Sequence, residues 1–266
     1  MDDEESIKSA AFRAAKVIKS PSIYEIIENN PYMNKAEKDK AFQRFNTQVG
    51  DAFLRGIPCL IEKPLATTLE GCKKLISAAK IGQSLIVAGH TENYNPAVIR
   101  LKEELQLPVV SIRAVRTSRN ATNKIGISVV QELMIHDLAI VYSFLGNNIA
   151  TSSVNKRPDL SWENHAVVDI KYKNGASVKL EALREDREVE RFMDIIDIDS
   201  NIFHIDFMER RLLKNGRILT EGGNSLQNEL ADFIRCIKDG TSPLVGAYEA
   251  ADILALCLRL EEGMSA

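Results

Sequence analysis

Three short stretches carry residues whose types and spacing suit chemistry. In IPCLIEKP (57–64), Lys63 directly follows a mostly apolar run and stands between Glu62 and Pro64. Ligands of open α/β sheets bind beyond the carboxyl ends of the strands, so a lysine there is placed for chemistry. A partly desolvated ammonium can polarise a hydroxyl and take part in proton transfer. The proline fixes the turn and can do so as a cis residue. The plain alternative is a surface lysine in a β-to-α loop. In SVVQELMIHDLAIVYSFL (128–145), Glu132 and His136 are four apart, one helical turn along the same face. Val129, Val130, Leu133, Met134, Ile135 and Leu138 surround them. In so apolar a helix a carboxylate and an imidazole are costly unless paired. A carboxylate orienting a histidine that accepts a proton near neutral pH is one arrangement that offsets the cost. A structural pair is the other, and the local sequence offers no third ligand for a metal. In GHTENYNPAV (89–98), His90 ends a second apolar run and Tyr94-Asn95-Pro96 opens a helix beside the same cleft. His165 and His204 fall on expected strands without polar company and read as structural, and Trp162 reads as packing. REDREVER (184–191) reads as a solvated loop face, with Arg184, Arg187 and Arg191 able to meet a phosphate.

The elements that must position these residues follow from pattern. Residues 1–49 contain no glycine and read as helices over about 5–20, 22–29 and 34–55, punctuated by Asn29-Asn30-Pro31. From residue 57 the texture becomes βαβα. A buried strand at 57–61 precedes a helix over about 69–81 that Thr67 or Thr68 can cap, and a strand at 84–89 precedes a helix over 95–105 with Pro96 near its first position. That alternation is the signature of a doubly wound sheet. After Pro108 the pattern changes. VVSIRAVRTSR (109–119) alternates at period two, as a strand with one buried face does, and the long apolar helix ends at Gly146. Asn174-Gly175 and Asn215-Gly216 mark two hairpins, a signal that rests on both turn residues taking positive φ. MDIIDIDSNIFHIDF (193–207) supplies further strand, and helices near 226–238 and 247–262 close the chain. The expected fold is thus α/β plus α+β: a truncated Rossmann-like, helix-rich part over 1–107, atypical over 1–47, then a domain with a large, mainly antiparallel sheet over 108–266.

The bulk numbers fit a soluble globular protein. The chain has 266 residues, 45% hydrophobic and 27% charged, with a formal net charge of -3. There is no basic footprint for nucleic acid and no run of about 18 apolar residues to cross a membrane. The acidic start MDDEES is unlike an export signal. Cys59, Cys72, Cys236 and Cys257 form no CxxC pair and read as reduced, buried thiols, so a cytoplasmic address is expected.

The three motifs, in this order and ahead of an antiparallel sheet domain, resemble the glucose–fructose oxidoreductase and inositol dehydrogenase (Gfo/Idh/MocA) family. The resemblance runs from about residue 48 to the end. The wording GHTENYNPAV and ELMIHDLAIV is similar to members acting on nucleotide-linked amino sugars, the UDP-N-acetylglucosamine 3-dehydrogenases. The resemblance implies oxidation of a sugar or UDP-sugar hydroxyl by hydride transfer to NAD or NADP, in a homo-oligomer built through the sheet domain. It implies that Lys63 and His136 are catalytic with Glu132 beside them, and that Glu62, Lys63 and Pro64 meet the cofactor. His90, Tyr94, Asn95 and Asp137 would meet the substrate. The chain departs from the pattern in three places. Glu132 stands where aspartate is usual, Asn93 stands where arginine often precedes the aromatic, and no GxGxxG opens the chain. The glycines of that motif let a backbone approach the pyrophosphate at a helix N-terminus. Their absence leads to an expectation of impaired dinucleotide binding. It also leaves an alternative reading, a non-catalytic binding or oligomerisation subunit.

Overall fold

A computed structural model describes residues 35–119 and 128–264; the helices expected over 5–20 and 22–29 lie outside them. Two compact units emerge: residues up to His90 with Glu229–Leu254, and Thr91–Asn228 with the segment from Ala255. The division falls after His90 rather than at 107/108, because the helix that follows, Pro96–Glu104, packs on strands of the large sheet.

In the first unit, helix α1 (Lys35–Leu54) leads to strand β1 (Cys59–Glu62), helix α2 (Leu69–Ile81) and strand β2 (Ile86–Gly89). Thr68 caps α2 by accepting a hydrogen bond from the Gly71 amide at 3.0 Å. The strands pair in parallel with Glu62 opposite Gly89. The outer edge of β2 is engaged by the Gly246 region, where the Ala88 amide donates to the Val245 carbonyl at 3.1 Å. Leu60, Val87 and Phe233 form the core between strands and helix. Helix α1 packs on α2 so closely that a Cβ at Gly82 would lie 1.9 Å from the Phe53 carbonyl oxygen.

The second unit opens with a 3-10 turn, Thr91–Tyr94, and continues through α3 (Pro96–Glu104), β3 (Val109–Ser118) and a π-type turn, Val130–Met134, that runs into α4 (Ile135–Leu145). Strands β4 (Ile149–Asn155), β5 (His165–Tyr172), β6 (Ser177–Arg184), β7 (Arg191–Asp197), β8 (Ile202–Asp206), β9 (Arg211–Lys214) and β10 (Arg217–Thr220) follow. Helices α5 (Ser225–Asp239) and α6 (Ala247–Met264) come last in the chain, each divided between the two units. The eight-stranded sheet has the order β10-β9-β8-β7-β3-β6-β5-β4, parallel only between β3 and β6. One face is buried by residues such as Ile112, Leu180, Met193, Ile195 and Phe203. The other carries Ile196, Ile202 and Ile218 in the open.

Several expectations need correction. Strand β3 alternates only at its start: it sits in the middle of the sheet, and residues 114–117 are buried on both faces. The hairpin at 215–216 has both turn residues at positive φ, 50° and 80°. At 174–175 only Gly175 does, at 92°, and the Asn174 side chain accepts a hydrogen bond from the Ala176 amide instead. His165 and His204 do have polar company. His165 accepts from the Arg157 amide at 2.8 Å and meets Glu181 at 3.2 Å, while His204 lies 2.7 Å from Asp194 and stacks on Phe192. All four cysteines are buried and free, and burial pushes the Cys59 thiol up to about 12.

Candidate active site

The first unit positions four of the expected residues, Glu62, Lys63, Pro64 and His90, at one place. Because Glu62 and Gly89 are register partners, Lys63 and His90 are the first residues past the carboxyl ends of neighbouring parallel strands. The strands approach closely there. A Cβ on Gly89 would lie 2.8 Å from the Glu62 Cα and 3.0 Å from the Ile61 carbonyl oxygen, which only glycine avoids. Glu62, Lys63 and Pro64 are partly buried, and the Lys63–Pro64 peptide is cis. His90 is 1% exposed, and neither ring nitrogen has a hydrogen-bond partner among the described residues. Burial, then the nearby Lys63 charge, depress its pKa to about 3, so it stands as a neutral imidazole beside the lysine.

The second unit holds the rest, around a buried charged cluster. Arg116, from β3, donates from Nε to both Asp137 carboxylate oxygens at 3.1 and 3.0 Å and from Nη2 to Oδ1 at 2.8 Å. Its Nη1 donates to Glu92 Oε1 at 3.0 Å. The other Glu92 oxygen accepts from Asn95 Nδ2 at 3.1 Å, and Asn95 Oδ1 caps α3 by accepting from the Ala97 amide at 3.1 Å. The Phe207 ring covers the guanidinium at 4.7 Å. Burial works against the Arg116 charge, but Asp137 and Glu92 more than offset it and hold the guanidinium above its ordinary value. Burial pushes the Asp137 carboxyl up, against the pull of Arg116.

Of the expected substrate contacts, Asn95 hydrogen-bonds to Glu92 and to the Ala97 amide, and Asp137 to Arg116. Tyr94 is buried, with its carbonyl accepting from Asn228 Nδ2 at 3.0 Å. His136 is partly buried at the start of α4, one residue from Asp137. Glu132 lies in the π-type turn and accepts a hydrogen bond from Arg184 Nη2. Arg184 is 3% exposed, so the solvated-face reading of 184–191 fails at its start. The segment is split between the end of β6 and the beginning of β7, and only its middle is a loop.

Sequence reasoning passed over Arg116 and Glu92. A signal was present, since Arg116 has the same parity along β3 as Ile112 and Ala114, which face the core. A charge at an inward position asks for a buried partner.

Comparisons agree with this architecture. UDP-N-acetylglucosamine 3-dehydrogenase from Acidithiobacillus ferrooxidans is 27% identical over 168 residues, 58% of this chain and 52% of that protein. Its solved structure superposes with a TM-score of 0.77 at 23% identity, covering 82% of this chain and 74% of that one. Inositol 2-dehydrogenase from Paracoccus denitrificans is 28% identical over 108 residues, 39% of this chain and 32% of that protein. The chain resembles the glucose–fructose oxidoreductase and inositol dehydrogenase family in sequence and in fold. An oxidoreductase of this fold from Agrobacterium radiobacter, solved in complex with NAD+, L-tartaric acid and magnesium, has a TM-score of 0.68 at 16% identity, covering 84% of this chain and 75% of that one. No family model matches the chain. The matched stretches span about a third to a half of these curated relatives.

Proposed function

We propose that the chain is an oxidoreductase that oxidises a hydroxyl of a sugar or nucleotide sugar by hydride transfer to a nicotinamide dinucleotide. The observation that carries this reading is Lys63 beside neutral His90 at the carboxyl ends of β1 and β2, in a chain similar to named sugar dehydrogenases. Lys63 donates a hydrogen bond to the substrate hydroxyl, and His136 takes up its proton. The dinucleotide, when bound, supplies the hydride acceptor.

Glu62, the last residue of β1, with Lys63 and Pro64 in the turn that follows, would meet the nicotinamide end of that cofactor. No glycine-rich strand-to-helix turn is present among the described residues, and the sequence contains no GxGxxG. A second reading is a non-catalytic binding or oligomerisation subunit without dinucleotide binding.

One experiment separates the two. The purified chain is mixed with UDP-N-acetylglucosamine or inositol and millimolar NAD+ or NADP+, and reduced nicotinamide is followed by absorbance. Turnover that falls about 10²–10⁴-fold in Lys63→Ala and His136→Ala supports the first reading. Calorimetric binding of the sugar with no reduced nicotinamide supports the second.

We assign the open face of the large sheet to a second copy of the chain. Ile196 and Ile202 are register partners in the open, and the same face carries the opposite charges of Arg113 and Asp194. Apolar residues beside paired charges of both signs suit a self-complementary interface.

A further inference from the structure

We infer that Arg116 is a positioning residue for the proposed reaction, fixing the turn that carries His136 to the 91–95 turn through Asp137 and Glu92. The inference rests on the proposed role of His136 as proton acceptor. It starts from an arrangement that stability alone does not explain. Arg116 and Arg191 are register partners on adjacent antiparallel strands, so two like charges face each other across the sheet. Such pairs are destabilising. Here the opposition is offset by one buried carboxylate, Asp137, and one partly buried, Glu92, and buried ion clusters commonly do no better than apolar side chains of the same size. Arg116 and Asp137 sit where aliphatic residues would pack, their side chains only 2% exposed.

What the cluster does provide is a continuous tie between three elements. It runs from the Ala97 amide at the start of α3 through Asn95, Glu92 and Arg116 to Asp137 on α4. Asp137 is the neighbour of His136, so fixing its carboxylate through three hydrogen bonds fixes the rotation of the turn that aims the imidazole. That turn has particular need of an anchor. Immediately before it the helix holds an extra residue, and the Ile135 amide donates to the Val130 carbonyl five residues back. Helices kink at π-bulges, so the direction of α4 is set at this turn. Arg116, a planar fork held by two carboxylates and covered by Phe207, ties the turn to β3 in the middle of the sheet.

The test uses the full chain and does not rest on Arg116→Met alone, which strands a buried carboxylate and can fail to fold. The double variant Arg116→Met/Asp137→Leu removes the tie without stranding the fully buried Asp137 carboxylate, while Glu92, 19% exposed, keeps its hydrogen bond from Asn95; Glu92→Gln loosens the tie from the far end. The chain has only four histidines, so each ring is followed by NMR, with His136→Gln identifying the His136 signals. The expected result is a folded double variant with unchanged His165 and His204 signals and shifted or broadened His136 signals. Glu92→Gln shows the same effect to a smaller degree. Where wild type turns over, kcat falls about tenfold or more with little change in KM, and Arg116→Lys, which keeps the charge but not the fork, does not restore it. His136 signals that stay at their wild-type positions in a folded double variant, or in Glu92→Gln if the double variant is unfolded, overturn the inference. Absence of turnover in wild type overturns the proposed function and leaves the NMR comparison intact.

Discussion

His90 is the residue whose surroundings speak most directly to pH. Burial and the Lys63 charge lower its pKa from an ordinary value near 6.5 to about 3, so the unfolded chain binds a proton that the folded chain refuses. Between about pH 6.5 and 3 the folded state therefore loses stability as pH falls, by up to about 1.4 kcal/mol per pH unit from this group. Above 6.5 the contribution is complete and flat. Urea midpoints measured from pH 7 to pH 4 should fall more steeply in wild type than in His90→Gln, and a His90 ring signal that titrates near pH 6 would sink the argument. Gly89, one residue earlier, sets the spacing of the same two strand ends. Gly89→Ala must push β2 from the Glu62 backbone and is expected to cost about 1–3 kcal/mol. A Gly89→Ala protein as stable as wild type would show that the strands are not so close. Why the sequence names Lys63 and His90 but not Arg116 is also a matter of single residues. The first two are announced by strand ends, which pattern reveals. The third is announced only by parity within a strand, and its partner Glu92 lies 24 positions away in a turn with no period.

At the scale of elements, helices with local start and stop signals were legible nearly to the residue. Thr68 and Pro96 mark α2 and α3 because capping and a missing amide act within one turn. The two Asn-Gly hairpins were legible for the same reason. The π-type turn at 130–134 was not, because an extra residue in a helix leaves the apolar run unbroken. Nor was the parallel pairing of β3 with β6, which depends on contacts far apart in sequence. The two caps also separate two kinds of role. Thr68 does one thing, so Thr68→Ala should cost about 1 kcal/mol. Asn95 caps α3 and also donates to Glu92, a charge-assisted bond worth about 1.5–3 kcal/mol, so Asn95→Ala should cost roughly two to four. Equal denaturation midpoints for the two variants would show that the Glu92 bond contributes nothing.

At the scale of the whole molecule, what remains open is the uncovered face of the eight-stranded sheet. An antiparallel sheet can leave one face in water, and then its outward positions are polar. Strands β4 and β5 follow that rule with Thr151, Ser153, Asp169 and Lys171, all exposed. Strands β7, β8 and β10 break it with Ile196, Ile202 and Ile218, exposed by 36%, 54% and 49%. The apolar part of the face thus lies toward one side of the sheet, and sedimentation tests whether a second copy covers it. The wild-type chain should sediment as a dimer or larger assembly, and Ile196→Lys/Ile202→Lys should shift it toward the monomer. Those positions are exposed within the chain, so the double variant should keep its circular dichroism spectrum. Two lysines opposite each other on one chain would also face two more across a two-fold axis, which makes the expected loss of association large. A wild-type chain that sediments as a monomer at every concentration would remove the second copy from that face.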